Sequence, residues 1–316
     1  MTKFRDCLNQ YVSTRRALGS SFYEPARSLA HFVDFLEHEH AESITAELAL
    51  RWAMQSVHVQ RATWARRLGH VRGFARWMVA IDDRTEVPAP RLLSSRRRRN
   101  PPHIYTQKEI EDLLHKASEL PSSTGMRALT YSTLIGLLVA TGLRPSEALS
   151  LDNKDVDLSD GILSIRDSKF GKSRFVPLHE STHVALKKYV YERDKICSRR
   201  ADDAFLISER GRRLVACSAR AMFAKLSRET GLRPTWPDGR NGLGPRLQDF
   251  RHTFATSRMV EWYREGKDVS RELPKLSTYL GHVEVGLTYW YVEAVPELLE
   301  LAAKYLDQTK CVGDRL

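Results

Sequence analysis

The stretch Thr85–His103, TEVPAPRLLSSRRRRNPPH, constrains this chain more than any other. Its separated prolines and paired serines cannot continue a helix, because proline lacks the backbone N–H and crowds the turn before it. Helical periodicity stands on both sides, so the stretch reads as a linker between two domains. A chain of 316 residues is also longer than single cores usually grow. The expected division is a helical domain over 1–84, a basic Pro/Arg-rich linker over 85–104 and a larger domain over 105–316.

Before the linker, Leu29, Phe32, Val33 and Leu36 recur at helical spacing. Leu68, Val71, Phe74 and Ala75 do the same, with Met78 one turn on. Pro25 sits near a helix start, where its missing N–H costs nothing. Arg61, Arg66, Arg67, Arg72 and Arg76 stud the polar side of the last of these helices, with no acid between Gln60 and Ala80. Solvated helices normally mix both signs, so this face reads as one that meets a DNA backbone. Met1–Asn100 holds 17 Lys/Arg against 10 Asp/Glu, and the whole chain carries a formal charge of +11. That balance implies a polyanionic partner, nucleic acid ahead of an anionic membrane. In the linker, Arg96, Arg97, Arg98 and Arg99 are available to phosphates or a narrow minor groove, as a short basic connection closing a clamp around a duplex would require.

No apolar run reaches membrane-spanning length, and Met1–Gln10 lacks a secretory apolar core. Cys7, Cys197, Cys217 and Cys311 are scattered, and read as reduced thiols of a cytoplasmic, nucleoid-associated protein with neither disulfide framework nor metal site. A P-loop, a GxGxxG turn, an HExxH helix and a magnesium-type carboxylate cluster are all missing from the sequence, so no cofactor is expected.

After the linker, Thr106 with Glu109 three residues on is a capping-box start to a helix. Arg127–Thr141 is strongly apolar and is broken by Gly142 and Pro145. Ile162–Ile165 and Arg174–Leu178 are short β-type runs around Asp167–Ser173, a hairpin with Lys169 and Lys172 near its tip. The remainder is mainly helical, with a Gly/Pro-rich loop over Gly231–Pro245. The expected class is mainly α with a small antiparallel β-sheet or hairpin.

Four stretches place basic residues in sharp local contexts. In ATGLRPSEALSL, Arg144 stands at a break between helices, where a cation can cap the preceding carbonyls. In SKFGKSRFVPL, Lys169 stands at a hairpin tip, a position usually filled by solvated charge. In LQDFRHTFAT, Arg251 and His252 lie between Phe250 and Phe254, where charge is costly unless paired or functional. In LGHVEVGLTYWY, His282 follows a Leu-Gly turn, with Tyr289 and Tyr291 seven and nine residues later. Any one of these has an ordinary explanation.

Together and in this order they resemble the tyrosine recombinase (phage-integrase-like) family, from about Ala140 to Tyr291, and the helical domain before them resembles that family's core-binding (SAM-like) domain. The resemblance implies metal-independent cleavage of a DNA phosphodiester by a tyrosine hydroxyl, giving a 3′-phosphotyrosyl link. By match to the motifs, Arg144 and Arg251 would grip the phosphate, Lys169 would be the general acid, His282 would bond the phosphate or assist proton transfer, and Tyr291 would be the nucleophile. Tyr289 then reads as packing and Tyr279 as core. Glu147 would hold the Arg144 helix start or pair with an arginine, while Lys172 and Arg174 would contact DNA. One position departs from the pattern. Where the family usually has His, three residues before the second arginine, this chain has Gln248, which donates a hydrogen bond but carries no proton at neutral pH.

The resemblance further implies double-stranded DNA with inverted core sites, and a homo-tetramer on DNA, with room for related recombinases. An amphipathic helix over Pro296–Leu306 would dock into a neighbouring protomer. The implied function is site-specific recombination, for integration, excision or transposition of a mobile element. Chromosome or plasmid dimer resolution, and a non-catalytic DNA-binding accessory protein on the same scaffold, stand as alternatives.

Overall fold

The computed structural model describes residues 3–57, 59–93, 101–166, 173–198, 201–234 and 244–281. The chain divides into two compact units, Met1–Asn100 and Pro101–Leu316.

The first unit is built from α1 (Lys3–Ala17), α2 (Tyr23–His38), α3 (Ala46–Met54) and α4 (Arg61–Met78). The apolar stripes read from the sequence meet in one core, where Leu29, Phe32, Val33 and Leu36 of α2 are buried with Leu68, Val71, Phe74 and Met78 of α4. Tyr11 of α1 joins them edge-on to Phe22 and tilted against Phe74 and Trp77. Residues after α4 continue onto the same body. The Glu86 N–H bonds the Ile44 carbonyl at 2.8 Å, and the Glu86 carboxylate accepts the Ala46 N–H at 2.8 Å, at the start of α3. Asp82, buried against Lys3 and Arg84, has its carboxyl held well below the usual range by hydrogen bonds first from Arg84 and then from Lys3.

The second unit is mostly helical with a small sheet. It contains α5 (Gln107–Ser118), α6 (Met126–Thr141), α7 (Pro145–Ser150), β1 (Val156–Asp157), β2 (Ile162–Ile165), β3 (Arg174–Pro177), α8 (Glu180–Ile196), α9 (Ala216–Glu229), α10 (Asp249–Arg264) and α11 (Val269–Leu280). α5 begins with a capping box, the Thr106 hydroxyl accepting the Glu109 N–H and the Glu109 carboxylate accepting the Thr106 N–H. The sheet runs β1-β2-β3, antiparallel throughout, with Leu163 opposite both Val156 and Val176, and Ile165 opposite Arg174. The two-residue β1 adds a strand to the hairpin that the sequence shows.

Helix α6 is apolar around its circumference because it is packed on several sides, against α5, α8 and α10. Leu134, Ile135, Leu137 and Leu138 lie within the principal core. A second cluster holds α10 to α11 through Ala255, Met259, Leu273, Leu276 and Leu280. Among the described residues no helix is long and apolar enough to cross a membrane.

The central role of α6 gives a stability prediction. Leu134 is fully buried, and Leu134→Ala removes three carbons where the surrounding helices cannot close the gap. A loss of about 3 kcal/mol in unfolding free energy is expected from denaturant titration.

Candidate active site

Helices α6 and α11 end in the same way, and the site is built on those ends. Each stops at a glycine in the left-handed region, Gly142 at φ 60 and Gly281 at φ 69. A side chain at either position would be strained and would displace a neighbour. A Cβ on Gly142 would stand 2.6 Å from the Phe254 ring, and one on Gly281 would stand 2.8 Å from Arg174 Nη1. The last carbonyls of these two helix ends lack intrahelical partners and carry the negative pole of the helix dipole, which suits a cation.

Arg251, the third residue of α10, occupies that position. Its Nη1 donates to the Gly142 carbonyl at 3.0 Å and its Nη2 to the Leu280 carbonyl at 2.6 Å, and the residue is 1% exposed. An arginine this deeply buried is costly without acceptors, and two helix termini supply them. α10 is fixed in turn by Tyr105. Its ring stacks on Phe250 at 4.3 Å, its N–H donates to Thr253 Oγ1, and its hydroxyl donates to the Arg246 carbonyl at 3.0 Å. Burial raises the Tyr105 phenol well above its ordinary value.

Two residues beyond Gly142, Arg144 opens α7. Its N–H donates to Glu147 Oε2 at 3.0 Å and its Nη1 to Oε1 at 2.7 Å. Arg174 of β3 reaches the same carboxylate, Nη1 to Oε1 at 3.1 Å and Nη2 to Oε2 at 2.9 Å, while its Nε donates to the Tyr279 carbonyl at 2.7 Å. Glu147, 5% exposed, thus accepts four N–H bonds, two on each oxygen. Burial alone would raise its carboxyl pKa, but the Arg174 and Arg144 bonds outweigh it and hold the group below its ordinary value. Arg144 is 21% exposed and Arg174 11%, so the first faces solvent more than the second. Arg174, expected among the DNA contacts, is therefore turned inward, because a carboxylate and a helix-end carbonyl take its three guanidinium nitrogens.

Gln248 immediately precedes α10 and is half-buried. Its side chain lines a groove of about 630 Å³ with Pro145, Ser146, Arg220, Arg233 and Arg246. Those three arginines gained no attention from sequence motifs, since nothing local distinguishes them from solvated charge. His252, beside Arg251, is pushed down to about 4 by burial and is neutral near pH 7. Tyr279 stacks on Phe254 at 5.6 Å, and burial pushes its phenol up to about 12, so it stays protonated.

Of the arginines on α4, Arg61, Arg66 and Arg76 are exposed. Arg66 pairs with Glu24 at 3.4 Å, and Arg67 donates to Ser56 and lies over the Trp52 ring. Arg72 is engaged by the Pro88 and Ala89 carbonyls, both at 2.8 Å. Lys169, Lys172, His282, Tyr289, Tyr291, Arg96 to Arg99 and the helix expected over Pro296–Leu306 lie outside the described residues. Among the described residues, no group of three or more His, Cys, Asp or Glu side chains is placed to hold a metal ion.

A mainly helical unit with a three-stranded sheet thus brings Arg144, Arg174 and Arg251 together around two helix ends and one buried carboxylate. The model of the phage integrase family matches residues 104–297. A Sinorhizobium fredii protein assigned by name as an integrase/recombinase, y4rB, is 42% identical over 312 residues, 98% of each chain. The tyrosine recombinase XerD of Caulobacter vibrioides is 30% identical over 241 residues, 75% of this chain and 72% of its own. In fold, the chain resembles the Tn1549 transposon integrase in complex with transposon right end DNA, with a TM-score of 0.65, 17% identity and coverage of 96% and 98%. The chain belongs to the phage integrase family of tyrosine recombinases.

Two outcomes follow from the geometry. Glu147→Gln leaves two partly buried arginines without their counter-charge, and should cost about 3 kcal/mol in urea unfolding at pH 7. The His252 imidazole resists protonation when folded, so the unfolded chain takes up its proton first as the pH falls. Stability should decline from pH 6.5 to about 4 and gain no further slope from this group below that. Urea titrations across this window should show a shallower decline in His252→Gln than in the parent.

Proposed function

We propose that this protein is a site-specific DNA recombinase that cleaves and rejoins duplex strands through a 3′-phosphotyrosyl intermediate. The reading rests on family membership, and the single observation that carries it into chemistry is the placement of Arg251. Its guanidinium bonds the carbonyl two residues before Arg144, so both arginines are anchored at one helix junction. Two guanidinium groups so held, Arg144 the more exposed and Arg251 behind it, place positive charge beside one phosphodiester as negative charge builds on its non-bridging oxygens.

In the proposed cycle the Tyr291 hydroxyl attacks phosphorus in line. A P–O bond forms to the phenol oxygen, and the bond to the 5′-oxygen breaks. Lys169 protonates that leaving oxygen, and attack by the 5′-hydroxyl of a partner strand reverses the step. The phosphoester bond is kept throughout, so rejoining draws on no external energy source. A phenol of ordinary pKa is only about 0.1% ionised at neutral pH, so the arginines and an acceptor such as His282 must favour its ionised form. Gln248 donates an amide N–H to the phosphate without exchanging a proton.

The working assembly in this reading is a homo-tetramer on duplex DNA with inverted core sites. Exposed Arg61, Arg66 and Arg76 and the run Arg96–Arg99 supply backbone contacts. Identity of 42% along almost the whole chain to a Sinorhizobium protein named as an integrase/recombinase supports a role in DNA integration.

The test uses nicked duplexes tiled across the DNA flanking the gene, incubated with the full chain in EDTA and resolved on denaturing gels. A covalent protein–DNA adduct should form with the parent and with Tyr289→Phe, and should be lost in Tyr291→Phe. An adduct that survives in Tyr291→Phe and disappears in Tyr289→Phe would overturn the assignment of the nucleophile. Non-covalent binding without any adduct would favour an accessory DNA-binding protein.

A further inference from the structure

Arg174 is an unusual surface-strand arginine, because every guanidinium nitrogen it has is committed to the protein. Its three hydrogen bonds tie together segments far apart in the chain. β3 carries it, Glu147 belongs to the Arg144 junction, and the Tyr279 carbonyl is the last but one of α11. The next carbonyl, that of Leu280, is the one Arg251 takes at 2.6 Å. Two arginines from different motifs thus read consecutive carbonyls at one helix end. The turn after them leaves no space for a side chain, since a Cβ at Gly281 would meet Arg174 Nη1 at 2.8 Å.

We infer that Arg174 is a positioning residue for strand cleavage rather than a DNA contact; the inference rests on the recombinase reading above. Its effect on Arg144 runs through competition for Glu147. A carboxylate and an arginine left to themselves form a bidentate pair, which would turn the Arg144 guanidinium wholly towards Glu147. Arg174 places one nitrogen on each carboxylate oxygen, and the Arg144 guanidinium reaches Glu147 with Nη1 alone. Two cations sharing one carboxylate leave a net positive charge, carried by the more exposed Arg144. The Arg174 bond to the Tyr279 carbonyl holds that arrangement in register with the helix end that also orients Arg251 and immediately precedes His282. Lysine cannot substitute, since an ammonium cannot span both carboxylate oxygens and the carbonyl from one planar fork.

Single-turnover cleavage of the nicked flanking duplexes, and salt-dependent binding to a mixed-sequence duplex, test this. Arg174→Gln should lower the cleavage rate on the order of 10- to 100-fold, the usual effect of misplacing a reacting group. The slope of log affinity against log salt should match the parent. Arg174→Lys keeps the charge and should also cleave slowly with an unchanged slope, and it decides the matter if Arg174→Gln fails to fold. The double variant Glu147→Gln/Arg174→Gln should lose no more rate than the worse single variant, since both act through one carboxylate. A slope reduced by about 1 would identify a phosphate contact instead. Parent-like cleavage in Arg174→Lys, or multiplicative losses in the double variant, would overturn the positioning role while leaving the recombinase reading intact. A parent chain that makes no adduct would sink both.

Discussion

The Glu147 carboxylate is the one buried anion on which the arrangement of the arginines depends. It accepts the N–H that starts α7, one nitrogen of Arg144 and two of Arg174. Desolvating a carboxylate among three packed elements is expensive, and four hydrogen bonds with two cations more than compensate, as its depressed pKa indicates. From that carboxylate the contacts run through Arg174 to the Tyr279 carbonyl, along one residue to Leu280, and through Arg251 to Gly142, two residues before Arg144. The ring closes on itself. Such a ring has few alternative arrangements, because each guanidinium is planar and each acceptor is fixed at a helix end.

Helix termini do more here than end helices. The Gly142 and Gly281 caps place orphan carbonyls where a neutral or acidic side chain would add nothing and a guanidinium is stabilised. α6 can present its terminus to the site because the rest of it is buried among α5, α8 and α10. α11 does so although Pro274 lies inside it, since its apolar face is locked against α10. Among the described residues, Arg174 and Arg251 are thereby held by helix ends rather than by loops, which limits their movement.

Much of the fold was legible in the sequence where the determinants are local. The Thr106–Glu109 capping box, the stop at Gly142, the amphipathic stripes of α2 and α4, and the β2–β3 hairpin each depend on residues within a few positions. β1 was not legible, because two residues carry no periodicity and form a strand only by pairing with β2. The inward turn of Arg174 was hidden for the same kind of reason, since its carbonyl partner lies 105 residues away. Arg220, Arg233 and Arg246 line a groove beside Gln248 that exists only after α9 and the start of α10 come together.

By itself the sequence determined the charge of the chain, the glycines that end its helices, and the order of the arginine, lysine, histidine and tyrosine motifs that mark it as a family member. Those are properties of single residues and short windows, and they survive without a fold. Tertiary structure alone decided which arginines are gripped and which are presented. Arg251 and Arg174 bind helix-end carbonyls and a buried carboxylate, while Arg144 is left the more exposed of the ring. The physical reason is that hydrogen bonds and charge pairs are set by proximity in space, and the partners that fix these side chains come from distant parts of the chain.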